Sequence, residues 1–206
     1  KKHDIYLLAD EVYKEFVYDD REFVSIMHLD GIEDRVIVMD SVSKRYSMCG
    51  VRIGAMISRN PEVLSTALKF AQARLSPPSY GQLASEAAID VEMSYFENMR
   101  AEYVKRRDLV VDSLAEVEGV LCPRPSGAFY CAVRLPIDDD NKFCRWLLED
   151  FVYENQTVML APLSGFYSTS GLGTDEVRIG YVLNVDALGI AMTCLREAIK
   201  VYPGRK

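Results

Sequence analysis

The sequence predicts an α/β fold: a mostly parallel sheet in the first part of the chain, then a compact α+β unit. Three observations carry this. The runs Ile5–Ala9, Val36–Asp40 and Val51–Ile57 are short and almost continuously apolar, as strands covered on both faces are. The first two of these runs feed polar stretches, beginning Asp10-Glu11 and Ser41, where ligand-binding loops of such sheets lie. Past residue 95 the pattern shifts to strands and helices punctuated by Gly, Pro and Ser, so a boundary is expected there, with domains 1–95 and 96–206.

The elements follow in order. After Asn60-Pro61, the apolar residues Val63, Leu64, Ala67, Leu68 and Ala71 recur at helical spacing, predicting a helix over 62–75. "LSPPSYG" breaks it, and a second helix is expected over about 80–91. A long charged helix over 95–117 forms the joint between the two parts and stops before Gly119. "PRPSGAFYCAVRL" reads as a turn and a strand, and 141–153 as a helix with Phe143, Trp146, Leu147 and Phe151 inward. "TVMLAP" and "EVRIGYV" are strands flanking a Gly/Ser loop, and 185–201 is the closing helix.

Composition excludes several classes of function. With 206 residues, 49% hydrophobic and 27% charged, the chain has the make-up of an ordinary globular protein. A net charge of −7 argues against nucleic acid or an anionic membrane as partner. No apolar run has the ~18–20 residues of a membrane span, and no secretory pattern opens the chain. Five cysteines without a C-x-x-C pair predict no disulfide framework and no metal site, and fit a reducing cytoplasm.

The chemistry concentrates in "SVSKRYSMCGVRIG", 41–54. A free lysine amine, with pKa about 10.4, is a poor nucleophile at neutral pH. Held in a pocket, Lys44 could condense with an aldehyde. Arg52, expected to begin the next strand, offers a planar fork for a phosphate, and Ser41 and Ser43 add hydroxyls for the same anion. The plain alternative is a solvated charged turn. The second cluster is "ADEVY", 9–13, where Asp10 ends a strand and Tyr13 follows three residues on. Asp10 could hold a protonated ring nitrogen, or could simply cap a turn.

Together, D-x-x-Y followed about thirty residues later by S-x-S-K-x-x-S-M-x-G-x-R-x-G resembles the pyridoxal-phosphate enzymes of fold type I. The resemblance is to class I/II aminotransferases of the aspartate aminotransferase kind. It extends through "PSGAFY", "VMLAPLSGF" and "VRIGYV" to essentially the whole chain. It implies pyridoxal 5′-phosphate as cofactor, carried by Lys44, which also moves the substrate proton. Asp10 would pair with the pyridine nitrogen and Tyr13 with the ring 3-oxygen. Ser41, Ser43 and Arg52 would grip the phosphate. Arg178 would bind the substrate α-carboxylate; otherwise it is an edge-strand surface arginine. Gly127 and Phe129 are expected to be structural. Two departures from the family pattern are Val51, smaller than the usual residue, and the Leu-Ser-Gly-Phe-Tyr sequence after Pro162.

The family's glycine-rich turn, ring-stacking aromatic and Asn-Pro motif precede the D-x-x-Y strand, and only nine residues precede Asp10. The resemblance is therefore to the C-terminal part of the large domain plus the small α+β domain. The full-length protein is expected to be a homodimer acting on an amino acid and a 2-oxo acid. A C–S lyase or decarboxylase of the same fold, or a folded domain without activity of its own, are the other readings.

Overall fold

A computed structural model describes residues 2–206. The chain divides into two compact units, one running to Arg100 and the other Ala101–Lys206, with the boundary inside a long helix.

The first unit holds a three-stranded sheet of β1 (Leu7–Asp10), β2 (Val36–Ser41) and β3 (Gly54–Ser58) in that order. β1 and β2 are parallel, with Leu7 opposite Val36 and Asp10 opposite Met39. β3 is antiparallel to β2, Ser41 facing Gly54, which corrects the expected mostly parallel sheet. The connection explains it. Only the short helix α1 (Val42–Arg45) and a 3-10 turn (Cys49–Val51) lie between β2 and β3, too little for the full crossover that returns a parallel strand. Arg52 consequently does not begin a strand: it closes that turn in the left-handed conformation (φ 60°).

Helix α2 (Pro61–Arg74) starts where Asn60 accepts from the Glu62 and Val63 amides and proline occupies the first turn. α3 (Ser79–Ala87) continues as a 3-10 turn to Asp90. The inward side chains of this unit are Phe16, Tyr18, Val36, Val38, Ala88 and Phe96. The strands expected to be covered on both faces are not. Ile5, Leu8 and Ile57 are exposed, and on α2 Leu68 and Phe70 are 57% and 73% exposed.

The second unit begins within α4 (Met93–Ala115) and packs a three-stranded antiparallel sheet with two helices. β4 (Tyr130–Arg134) and β5 (Ala161–Pro162) flank β6 (Glu176–Gly180), which is therefore the central strand rather than an edge. β5 is much shorter than the expected run, since only Ala161 and Pro162 pair with β6. α5 (Asp140–Glu149) is capped by Asp139 and ends before Phe151, whose amide turns back to the Trp146 carbonyl. α6 (Val185–Val201) is capped by Asn184. Val110, Leu114, Val133, Leu147, Val177 and Leu195, all fully buried, represent a core much fuller than that of the first unit.

Candidate active site

In the first unit the site is built on the parallel pair. Strands that run in the same direction release their following loops at one edge of the sheet, and Asp10 and Ser41 end β1 and β2 at that edge. The Glu11 amide adds one more ladder bond, to the Met39 carbonyl (2.9 Å). The chain then turns tightly, with Lys14 N–H bonded to the Glu11 carbonyl and Phe16 N–H to the Tyr13 carbonyl. Asp10 is exposed and accepts from the Val12 amide (3.3 Å). Tyr13 is half-buried, edge-on to Phe16 at 6.0 Å between centroids.

Ser41 caps α1 by accepting from the Ser43 amide (3.1 Å), and its hydroxyl lies 2.8 Å from both Ser43 Oγ and the Ile53 carbonyl. Because Ile53 O can only accept, the Ser41 proton goes there, and the contact between the two hydroxyls is then made by Ser43 Oγ donating to Ser41 Oγ. Lys44, half-buried, lies on the single turn that Ser41 starts. Arg52 is exposed, and one guanidinium nitrogen donates to the Cys49 carbonyl (2.9 Å), orienting the fork. Gly81 of α3 packs so closely beneath this turn that a Cβ there would stand 2.8 Å from the Val51 carbonyl oxygen.

Sequence reasoning missed the ion network around Asp40. Its carboxylate takes Lys14 Nζ at 2.8 Å and Arg45 Nη2 at 2.7 Å, while Arg45 Nε stands 3.4 Å from Glu15. Burial pushes the Glu15 carboxyl above its ordinary value, opposed by the Arg100 charge and reinforced by Asp40. The network ties the segment carrying Tyr13 to the turn carrying Lys44. Glu11, almost fully buried, anchors the other side by accepting from Ser25 Oγ and the Ile26 amide, both at 2.9 Å. A cavity of about 290 Å³ opens beside α1, with Ser41, Arg45, Tyr46 and Glu86 in its wall. Of the expected site residues, Ser41 alone lines it among the described residues.

In the second unit, Arg178 lies at the middle of β6, between Ala132 of β4 and Ala161 of β5. Its guanidinium is 4.6 Å from the centroid of Tyr130 and 5.1 Å from that of Phe166. Two rings thus stand at cation–π distance from a group whose planar fork suits a carboxylate. Neither aromatic was singled out from the sequence, although both fall in "GAFY" and "LSGF". Phe129 is buried against Tyr103 (5.6 Å between centroids), a packing role.

The family model for "Aminotransferase class I and II" matches residues 1–191. The chain belongs to the class I and II aminotransferases. Within this family it is 35% identical to an aspartate aminotransferase of Rhizobium meliloti, over 97% of this chain and 50% of that one. It is 33% identical to aromatic-amino-acid aminotransferase 2 of Thermococcus litoralis, again over 97% of this chain and 50% of that one. Among solved structures, the aromatic aminotransferase of Pyrococcus horikoshii superposes with a TM-score of 0.83 at 32% identity, covering 97% of this chain and 52% of that one. The chain thus spans about half the length of the aminotransferases it matches. Among the described residues no helix is long and apolar enough to cross a membrane.

Proposed function

We propose that this chain is the C-terminal portion of a pyridoxal-phosphate-dependent aminotransferase that transfers an amino group between an amino acid, aspartate or a related one, and a 2-oxo acid. The full-length protein acts as a cytoplasmic homodimer. The observation that carries the reading is the shared sheet edge: a strand-ending carboxylate and a lysine turn leave one parallel pair together, in a chain of the aminotransferase family.

The donor set fits the cofactor. Arg52 is exposed with its fork oriented by Cys49 O, and the linked Ser41 and Ser43 hydroxyls sit at the start of the lysine turn, a set suited to a phosphate. When bound, pyridoxal phosphate supplies an aldehyde for amines and a ring that accepts electrons. Asp10 would hold the ring nitrogen protonated, Tyr13 would donate to the ring oxygen, and Ser41, Ser43 and Arg52 would bind the phosphate. Lys44 would hold the cofactor through its amine and would take and return the proton at the substrate Cα. Arg178 binds the substrate α-carboxylate with its fork, oriented by Tyr130 and Phe166.

The test is made on the full-length protein loaded with pyridoxal phosphate. Amino transfer from aspartate or an aromatic amino acid to 2-oxoglutarate is the expected activity. Pyruvate release from cysteine conjugates with no transfer would replace this reading by a C–S lyase.

A further inference from the structure

Five cysteines are free, and two of them, Cys122 and Cys131, are neighbours across one strand pairing. Their contact follows from the strand register. Leu121 and Arg134 exchange both backbone hydrogen bonds at 2.9 Å, so they face each other directly. Side chains alternate along a strand, so Cys122 projects to the same side as Val133 and Cys131, opposite to exposed Leu121. Val133 and Cys131 are buried there, and Cys122 closes the rim at intermediate exposure.

We propose that Cys122 and Cys131 are a redox-sensitive dithiol, a modification site that hydroperoxides convert to a disulfide. Cys122 is the attacking sulfur, because it alone of the two reaches solvent. Its thiol is held below the ordinary value by the hydrogen bond from Cys131 and by the Arg124 charge, against burial, while the Cys131 thiol is pushed up by the same hydrogen bond and by burial. The thiolate is the reactive form.

The steps balance. Cys122 loses its proton and attacks one peroxide oxygen. The O–O bond breaks, a sulfenic acid forms, and the departing hydroxide takes up a proton to become water. Cys131 sulfur then attacks Cys122 sulfur, the S–O bond breaks, and a second water leaves with the Cys131 proton. Two thiols are oxidised by two electrons and one peroxide is reduced to two waters. The geometry allows the closure. Cys122 to Pro125 lie outside any helix or strand, so the Cys122 side of the pair is the one that can adjust to disulfide geometry, whereas β4 is fixed by β6. Arg124 bonds to Asp108 and Asp112 of α4 and keeps the segment over the sheet.

The experiment treats the full chain with hydrogen peroxide, alkylates it without reduction, digests it with trypsin and measures peptide masses. The Arg124-Pro125 bond resists trypsin, so one peptide, 108–134, carries both cysteines. The expected product is that peptide short of two hydrogens, unalkylated at both sulfurs and restored by dithiothreitol. In Cys131→Ser, Cys122 should be trapped by dimedone as a sulfenic acid; in Cys122→Ser, Cys131 should stay an alkylatable thiol. Oxidation confined to exposed Cys49, or Cys122 advancing to sulfinic acid while Cys131 remains a thiol, would overturn the proposal.

Discussion

Lys14 Nζ stands 2.8 Å from Asp40 Oδ2, joining the turn after β1 to the residue just before Ser41. Arg45 shares the same oxygen at 2.7 Å from beyond Lys44, so one carboxylate fastens both ends of the candidate site. Its side chain is only 14% exposed, which makes loss of its charge costly for the two cations left behind. Asp40→Asn is expected to destabilise the chain by ~2 kcal/mol in urea unfolding. It should also raise amide exchange in 12–16 and 42–46 more than in β6. A uniform rise across both units would show that Asp40 has no local positioning role.

Lys44 is the residue on which the proposed chemistry depends. In the full-length protein, Lys44→Ala should abolish turnover, and borohydride should no longer fix the cofactor to the protein. Asp10→Ala should cost far more activity than Tyr13→Phe, because the proposed role of the carboxylate is to supply the charge opposite the ring nitrogen. Cofactor fixed by borohydride to another lysine would sink the assignment.

Gly81 bears on the turn before Arg52 from beneath. A Cβ there would meet the Val51 carbonyl at 2.8 Å and Ile53 Cγ1 at 3.2 Å, and the first of these is backbone. Gly81→Ala therefore forces the turn before Arg52 to move, with an expected cost of about 1–3 kcal/mol. Chemical denaturation measures the cost. Unchanged stability would mean that the turn yields freely and places Arg52 only loosely.

What the sequence made legible, and what it hid, follows from the range of the interactions. α6 runs 185–201 as the pattern predicts, because its cap, Asn184, and its apolar spacing are local signals. The Asp10 and Lys44 motifs were legible as a pair because each ends a strand, and the β1–β2 ladder is parallel. The direction of β3 was not, since the left-handed Arg52 that turns the chain is neither glycine nor asparagine. The rings around Arg178 come from segments 48 and 12 residues away in sequence, Tyr130 from the strand paired with β6 and Phe166 from the turn after β5, a convergence that composition does not encode. Asp40 could not be told from the other acids until its two cations were seen to converge on it.

The C-terminal end offers a pH test. Tyr202 OH donates to Asp138 Oδ1 at 2.9 Å, and this bond, aided by Lys142, holds the Asp138 carboxyl below its ordinary value. A carboxylate whose folded pKa is depressed contributes stability above its unfolded pKa, and that contribution is lost as pH falls through the folded value. Tyr202→Phe should be less stable than the wild type at neutral pH. The gap should close as pH drops below about 4, where Asp138 is protonated in the unfolded chain and then in the folded one. Urea midpoints of both proteins across that range decide it. A gap independent of pH would place the loss in packing around Tyr202 rather than in its bond to Asp138.

Arg178 is the proposed carboxylate fork, and its setting says which replacement should fail. The guanidinium lies 4.6 Å from the Tyr130 centroid and 5.1 Å from that of Phe166, so both rings restrain it before any substrate arrives. A lysine ammonium keeps the charge and the attraction to the rings but has no plane and cannot make two parallel bonds to a carboxylate. In the full-length protein, Arg178→Lys should raise KM for the amino acid by about tenfold or more, the cost of one charge-assisted hydrogen bond. Cofactor absorbance should be unchanged, because Arg178 is assigned to substrate rather than phosphate. Phe166→Leu should raise KM by a smaller factor, since it loosens the fork without removing it. An unaltered KM in Arg178→Lys would reduce this arginine to a framework residue of β6.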